Sequence, residues 1–287
     1  MSLNTNIETF IGCCGAYEAA RIVLFGAPFD STTSFRPGAR FASSAIRHES
    51  FGLETYSPYQ DADLTDFAVF DSGDLELSFG SAESALSDIE ERTQTILEDK
   101  KLPFLIGGEH LVTLGSVRAV YKYYPNLHII HFDAHADLRS DYLGVKLSHA
   151  CVMRRCHDIL GDGRIHQFCI RSGDREEFRF AKTHTDMHRF TLEGLEDTVS
   201  ALKKDNVPVY VTVDLDCLDP SVFPGTGTPE AGGIGFVQLL NAVRIVSECN
   251  VAGADINELA PMLDGSGAST ATACKVLREF LLALLMK

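Results

Sequence analysis

The chain lacks any apolar stretch near the ~20 residues that a membrane-spanning helix needs. Its C-terminal apolar run, Phe280 to Met286, is seven residues long and follows Lys275, Arg278 and Glu279. That end reads as an amphipathic helix from about Ser269 onward. The first residues lack a basic stretch followed by an apolar core, so no secretory leader is expected. Basic charge is scarce. Lys and Arg number 25 against 40 Asp and Glu, a formal net charge of −15. Such a surface repels phosphate, which argues against nucleic acid and anionic membranes as partners. Cationic small molecules and metal ions fit it better. No CxxC pair occurs among the eight cysteines at 13, 14, 151, 156, 169, 217, 249 and 274. They read as reduced thiols in a cytoplasmic protein. No internal repeat, low-complexity tract or linker interrupts the chain. With 45% apolar and 23% charged residues, disorder is excluded and one domain over 1–287 is expected.

What is present is a rhythm of short apolar runs, polar Gly-rich clusters and helical patterns. The runs are Arg21–Phe25, Phe67–Phe70, Pro103–Ile106, His128–Phe132, Ile165–Ile170, Val207–Val213 and Asn250–Ala254. Helical stretches between them include Ser81–Lys100, Leu111–Tyr123, Thr191–Lys204 and Phe236–Cys249. This alternation predicts an α/β fold with a central, mostly parallel sheet between two helical layers. In such folds, ligands bind beyond the carboxyl ends of the strands. Four runs end in chemistry: Gly107-Gly108-Glu109-His110, Asp133-Ala134-His135-Ala136-Asp137, Asp214-Leu215-Asp216-Cys217-Leu218-Asp219 and Asp255-Ile256-Asn257-Glu258.

The alternate residues Asp133, His135 and Asp137 point the same way in an extended segment. Unpaired carboxylates held side by side repel and shift each other's pKa. A divalent cation relieves that repulsion. Asp214 and Asp216 repeat the spacing, and His110 adds a second imidazole. Four carboxylates and two histidines exceed one metal's needs and suit two ions about 3.5–4 Å apart. Oxygen-rich donors with some imidazole favour Mn²⁺ over a Cys/His zinc site.

These motifs resemble the three signatures of the ureohydrolases, the family of arginase, agmatinase, formimidoylglutamase and guanidinobutyrase. Gly26-Ala27-Pro28-Phe29-Asp30 and Arg36-Pro37-Gly38-Ala39-Arg40-Phe41 resemble the family's opening segment, so the likeness spans nearly the whole chain. It implies a three-layer α/β/α arginase-like fold and two Mn²⁺ per chain. His110, Asp133, Asp137 and Asp214 would hold one ion. His135, Asp133, Asp214 and Asp216 would hold the other. It also implies hydrolysis of a guanidinium group by a metal-bridging hydroxide, and assembly into trimers or hexamers. A guanidinium is delocalised and weakly electrophilic, so the reaction needs an activated water and a proton for the departing nitrogen. Asp137 is the candidate proton carrier. His149, in a segment resembling the family's shuttle position, would relay protons with a pKa near neutrality. Glu258, in Asn257-Glu258-Leu259-Ala260-Pro261, resembles the guanidinium-binding carboxylate.

The loop Pro224–Gly233 and the segments Ile170–Gly173 and Arg175–Glu177 resemble agmatinases rather than arginases. Agmatine cleavage to putrescine and urea, in polyamine biosynthesis, is therefore the expected reaction. Arg139 and Lys146 leave open a substrate with a carboxylate tail, as in guanidinobutyrase or formimidoylglutamase. A non-catalytic metal-binding relative and a zinc deacetylase are competing classes. His131 shares a strand face with Asp133 and reads either as its support or as a buried histidine. Cys151 and Cys217 read as packing. His157, His166, His184 and His188 show no ligand spacing.

Overall fold

The computed structural model describes residues 8–78 and 80–287. Among the described residues there are ten strands and eight α-helices. The strands are β1 (Ile22–Gly26), β2 (Tyr56–Ser57), β3 (Ala62–Asp63), β4 (Val69–Asp74), β5 (Leu102–Ile106), β6 (His128–Phe132), β7 (Ile165–Ile170), β8 (Asp186–Arg189), β9 (Pro208–Asp214) and β10 (Asn250–Asn257). The helices are α1 (Ala42–Ser50), α2 (Ala82–Glu98), α3 (Thr113–Tyr123), α4 (Val152–Leu160), α5 (Arg175–His184), α6 (Leu195–Lys204), α7 (Phe236–Val246) and α8 (Ala268–Leu285).

Eight strands form one sheet in the order β4-β1-β5-β10-β9-β6-β7-β8. Every pairing in it is parallel. Side chains alternate between two apolar layers, as a two-sided sheet requires. Ile22 and Leu24 of β1 join the layer of α1, α6, α7 and α8. Val23 and Phe25 join that of α2, α3, α4 and α5. The expected three-layer α/β/α architecture is therefore the observed one. All seven expected runs are strands, with ends displaced by a few residues. Strand β8 was not foreseen. Its sequence, Asp-Met-His-Arg, is an edge strand without β-branched residues, formed by pairing with β7.

The four chemistry-bearing runs are β5, β10, β9 and β6, adjacent at the middle of the sheet. Parallel pairing places their carboxyl ends together. Gly108 lets the β5 end approach its neighbour closely. A Cβ there would stand 2.1 Å from the Phe29 carbonyl oxygen.

Helix α8 departs from expectation. It is not amphipathic but buried on nearly every face, including Arg278 and Glu279, which are 3% and 0% exposed. The reason is the small β2–β3 hairpin, antiparallel and separate from the main sheet, which covers its outer side. Ser57 Oγ and Gln60 Nε2 donate to Glu279 Oε2 at 2.7 and 2.8 Å. Arg278 Nε donates to Glu279 Oε1 at 3.1 Å, and Arg278 Nη1 to the Glu54 carbonyl at 2.7 Å. Among the described residues, no helix is long and apolar enough to cross a membrane.

Removing one member of a buried ion pair leaves a charge without its partner. Arg278→Met is therefore expected to cost roughly 3–5 kcal/mol of stability, read as a fall in the urea midpoint. Arg278→Met with Glu279→Leu is expected to recover part of the loss.

Candidate metal centre and adjoining cavity

His110 opens a short helical turn after β5 and is fully buried. Its Nε2 lies 2.9 Å from the Thr212 hydroxyl. Its Nδ1 faces three carboxylate oxygens: Asp133 Oδ2 at 3.1 Å, Asp137 Oδ2 at 3.2 Å and Asp214 Oδ2 at 3.4 Å. Yet Nδ1 has no properly directed hydrogen-bond partner. With Nε2 turned to the Thr212 hydroxyl, Nδ1 faces three anionic groups, and a metal cation among them would satisfy all four. On the other side, His135 Nδ1 lies 2.9 Å from Asp216 Oδ2 and 3.4 Å from Asp133 Oδ1. Asp216 Oδ2 also lacks a directed hydrogen bond. The structure thus brings all six expected ligands together, with Asp133 between the two imidazoles. The donor set fits a binuclear metal site.

The surroundings hold these groups rigidly. Gln167 Nε2 donates to His131 Nδ1 at 3.1 Å, so His131 Nε2–H donates to Asp133 Oδ2 at 2.8 Å. His131 is a support for Asp133. The Ala134 N–H donates to Asp216 Oδ1 at 3.1 Å, and the His135 N–H to Asp133 Oδ1 at 2.6 Å. Beneath His110, Asp255 accepts from Thr113 at 2.8 Å, Tyr210 at 2.7 Å and Asn257 at 2.7 Å. Sequence reasoning missed Thr212 and Gln167. A signal was present, since each is a polar residue inside a buried strand.

Electrostatics reflect the crowding. Burial and the Asp133 charge push Asp137 up to about 7. Burial and Asp216 raise Asp214. Burial opposes charging of His110, yet its carboxylate neighbours raise its pKa well above the usual histidine range.

Glu258 follows β10 and is buried, and its Oε1 accepts the His110 N–H at 2.7 Å. Burial and nearby Glu109 raise its pKa. Asp137 and Glu258 both have left-handed backbones, with φ of 52° and 66°. That conformation is uncommon outside glycine and tends to collect at functional sites. His149 Nδ1 lies 3.9 Å from Glu258 Oε1, while its Nε2 accepts the Ser34 N–H at 3.2 Å. In the metal-free protein, burial and then the positive charge on His135 and His110 lower the His149 pKa to about 4.

Beside these groups opens a cavity of about 190 Å³, lined by Ser34, His135, Asp137, Arg139, Tyr142 and His149 among others. Arg139 Nη1 is paired with Asp174 Oδ2 at 2.8 Å, and its Nε lies 3.5 Å from Glu177 Oε2. Lys146 is exposed and does not line the cavity.

A family model described as the arginase family matches residues 20–283. The chain belongs to the arginase family. It is 48% identical to an agmatinase of Bacillus subtilis over 278 residues, covering 96% of each chain. It is 37% identical to an N(1)-aminopropylagmatine ureohydrolase of Thermococcus kodakarensis over 250 residues, covering 85% of this chain and 84% of the other. Among solved structures, a putative agmatinase from Clostridium difficile superposes with a TM-score of 0.91 at 50% identity, covering 94% of this chain and 99% of that one. Membership excludes the deacetylase alternative. The arginase-like sheet, with its chemistry at the carboxyl ends of central strands, is the family's fold.

A centre built on clustered carboxylates is expected to depend on metal for stability. Chelator-treated protein should regain thermal stability on titration with Mn²⁺. Without metal, Asp137 holds its proton in the folded state up to about pH 7, whereas an unfolded aspartate releases it near pH ~3.9. Its contribution to stability is thus present below that lower value and is lost as pH rises toward 7. Asp137→Asn should remove this part of the decline, checked by denaturant unfolding between pH 4 and 8 in chelator.

Proposed function

We propose that this chain hydrolyses agmatine to putrescine and urea, as a step of polyamine biosynthesis. The observation that carries the chemistry is the unpartnered His110 Nδ1 facing three carboxylate oxygens. In this reading, His110, Asp133, Asp137 and Asp214 hold one Mn²⁺, and His135, Asp133, Asp214 and Asp216 a second. Bound there, two divalent cations acidify a water enough for it to attack a guanidinium at neutral pH.

The chain's own residues supply the remainder. Glu258, buried beside the His110 N–H, is better satisfied by a cation than by water it cannot reach, which suits a guanidinium. Asp137, on the cavity wall beside the carboxylate cluster, suits a group that takes a proton and returns it to the departing nitrogen. His149, which lines the same cavity and lies 3.9 Å from Glu258 Oε1, passes protons toward the cavity mouth. The nitrogen must leave as a neutral amine, so this proton is what completes C–N cleavage.

Arg139 lines the cavity but is not free to bind the tail of the substrate. Its guanidinium is already neutralised by Asp174 and Glu177, and Lys146 stands outside the cavity. A carboxylate tail, as in guanidinobutyrate or formimidoylglutamate, therefore finds no free cation. An amine tail meets an acidic protein of net charge −15, which favours a dication. The whole chain, 1–287, acts in this reading as one cytoplasmic catalytic domain assembled into a homo-oligomer, a trimer or hexamer.

Urea release from Mn²⁺-loaded protein, with agmatine, arginine and 4-guanidinobutyrate in parallel, tests this. Agmatine is expected to exceed 4-guanidinobutyrate by at least ~10-fold in kcat/KM, about 1.4 kcal/mol. Equal rates would return the tail-binding role to Arg139. Asp137→Asn is expected to lower turnover by about 10²-fold or more, and His149→Phe by less. Glu258→Gln should raise KM for any guanidine. Wild-type turnover in Asp137→Asn would refute the proton-carrier role.

A further inference from the structure

Half of the chain's ten histidines gather at the outer strands, away from the candidate centre. They are His128, His157, His166, His184 and His188. Three of them are paired with one another or with Asp186. His166 bonds Asp186 Oδ2 at 2.9 Å and His128 at 3.1 Å, and His188 lies 3.2 Å from Asp186 Oδ1. The other two, His157 of α4 and His184 at the end of α5, converge on Asp162 in the turn between α4 and β7.

We propose that His157, Asp162 and His184 form a second metal site, which takes a borderline transition ion such as Zn²⁺ rather than Mn²⁺. His157 Nε2 and His184 Nδ1 lie 2.7 and 2.6 Å from the same oxygen, Asp162 Oδ1. The three ligand atoms all fall within 4.8 Å of one another. Two imidazoles and one carboxylate, with an open fourth position, are a recurrent donor set for zinc, at about 2.0–2.2 Å from each. Imidazole-rich donors select ions late in the first transition row, whereas the catalytic cluster is dominated by carboxylate.

The rings are held in place before any ion arrives. Phe180 stacks on His184 with centroids 4.1 Å apart and meets His157 edge-on at 4.9 Å. The Arg154 guanidinium covers Phe180 at 3.9 Å from its centroid. The carboxylate, by contrast, can adjust. Asp162 has a side chain 65% exposed, and Gly161 and Gly163 on either side both have positive φ, 83° and 72°. His157 Nδ1 has no hydrogen-bond partner. Without an ion, Nε2–H donates to Asp162; because Nδ1 is unpartnered, the ring proton can move there and leave the Nε2 lone pair to an ion.

The site precedes β7 and β8, whereas the catalytic ligands follow β5, β6, β9 and β10. The two lie at opposite edges of the sheet, a strand length of roughly 17–20 Å apart. An ion at the lower edge would tie the C-terminal ends of α4 and α5 together. The inference is independent of the catalytic reading.

The test uses full-length, Mn²⁺-loaded protein dialysed against micromolar Zn²⁺, with metals counted by mass spectrometry. Wild type is expected to hold about one more zinc per chain than His184→Ala, His157→Ala or Asp162→Asn. Manganese content and urea release should be the same in all four. Zinc should raise the Tm of wild type more than that of the variants. Any zinc exchanged into the catalytic cluster is common to all four proteins and cancels in the difference. Equal zinc content in wild type and variants would overturn the proposal. Asp162→Asn preserves the shape of the turn, so the comparison stands even where an alanine variant fails to fold.

Discussion

Mutual repulsion among buried carboxylates is the constraint on which this molecule's architecture turns. Asp133, Asp137, Asp214 and Asp216 are all nearly inaccessible to solvent. At ~4 Å, two like charges in a protein interior cost about 4 kcal/mol even with an effective dielectric of 20. Several such pairs amount to a large fraction of a domain's net stability. The cluster persists because the fold surrounds it with compensating groups. The Ala134 and His135 N–H groups donate into it. His131 steadies Asp133, and Thr212 meets Nε2 of His110, leaving Nδ1 facing the carboxylates. The charge that these groups leave uncompensated is the attraction for metal.

The parallel sheet makes this concentration of charge possible. In a parallel sheet all carboxyl ends lie on one edge, so loops distant in sequence meet without long excursions. Here β5, β10, β9 and β6 are neighbours. Their apolar strands are packed on both faces and anchor the loops rigidly. Backbone strain is accepted at two points, Asp137 and Glu258, both left-handed. The surrounding hydrogen bonds hold these side chains toward the cluster. In the proposed reaction, selectivity rests on a different balance, between Arg139 and its two acidic neighbours, which removes a cation that the sequence alone offers to a carboxylate.

Much of this was legible before any coordinates. Asp-x-His-x-Asp and Asp-x-Asp after buried strands leave few chemical interpretations, since local spacing sets which side chains share a face. What escaped was decided by distant partners. Helix α8 looks amphipathic by its charges, but Arg278 and Glu279 are covered by a hairpin more than 200 residues earlier. Strand β8 has little strand character and exists because β7 offers an edge. The burial of His149, which lowers its pKa in the metal-free protein, comes from loops distant in sequence.

The sequence by itself determined the layered α/β plan, the six clustered His and Asp residues and the carboxylate beyond β10. Each is encoded by short-range periodicity and by residue types whose chemistry is hard to satisfy otherwise. Only the tertiary structure decided that Arg139 is already paired, that Gln167 sets the tautomer of His131 and that Thr212 orients the ring of His110. It alone brought His157, Asp162 and His184 to one point. Their separations in sequence carry no period. Their meeting depends on how α4, α5 and β7 pack, a property of the whole sheet rather than of any segment.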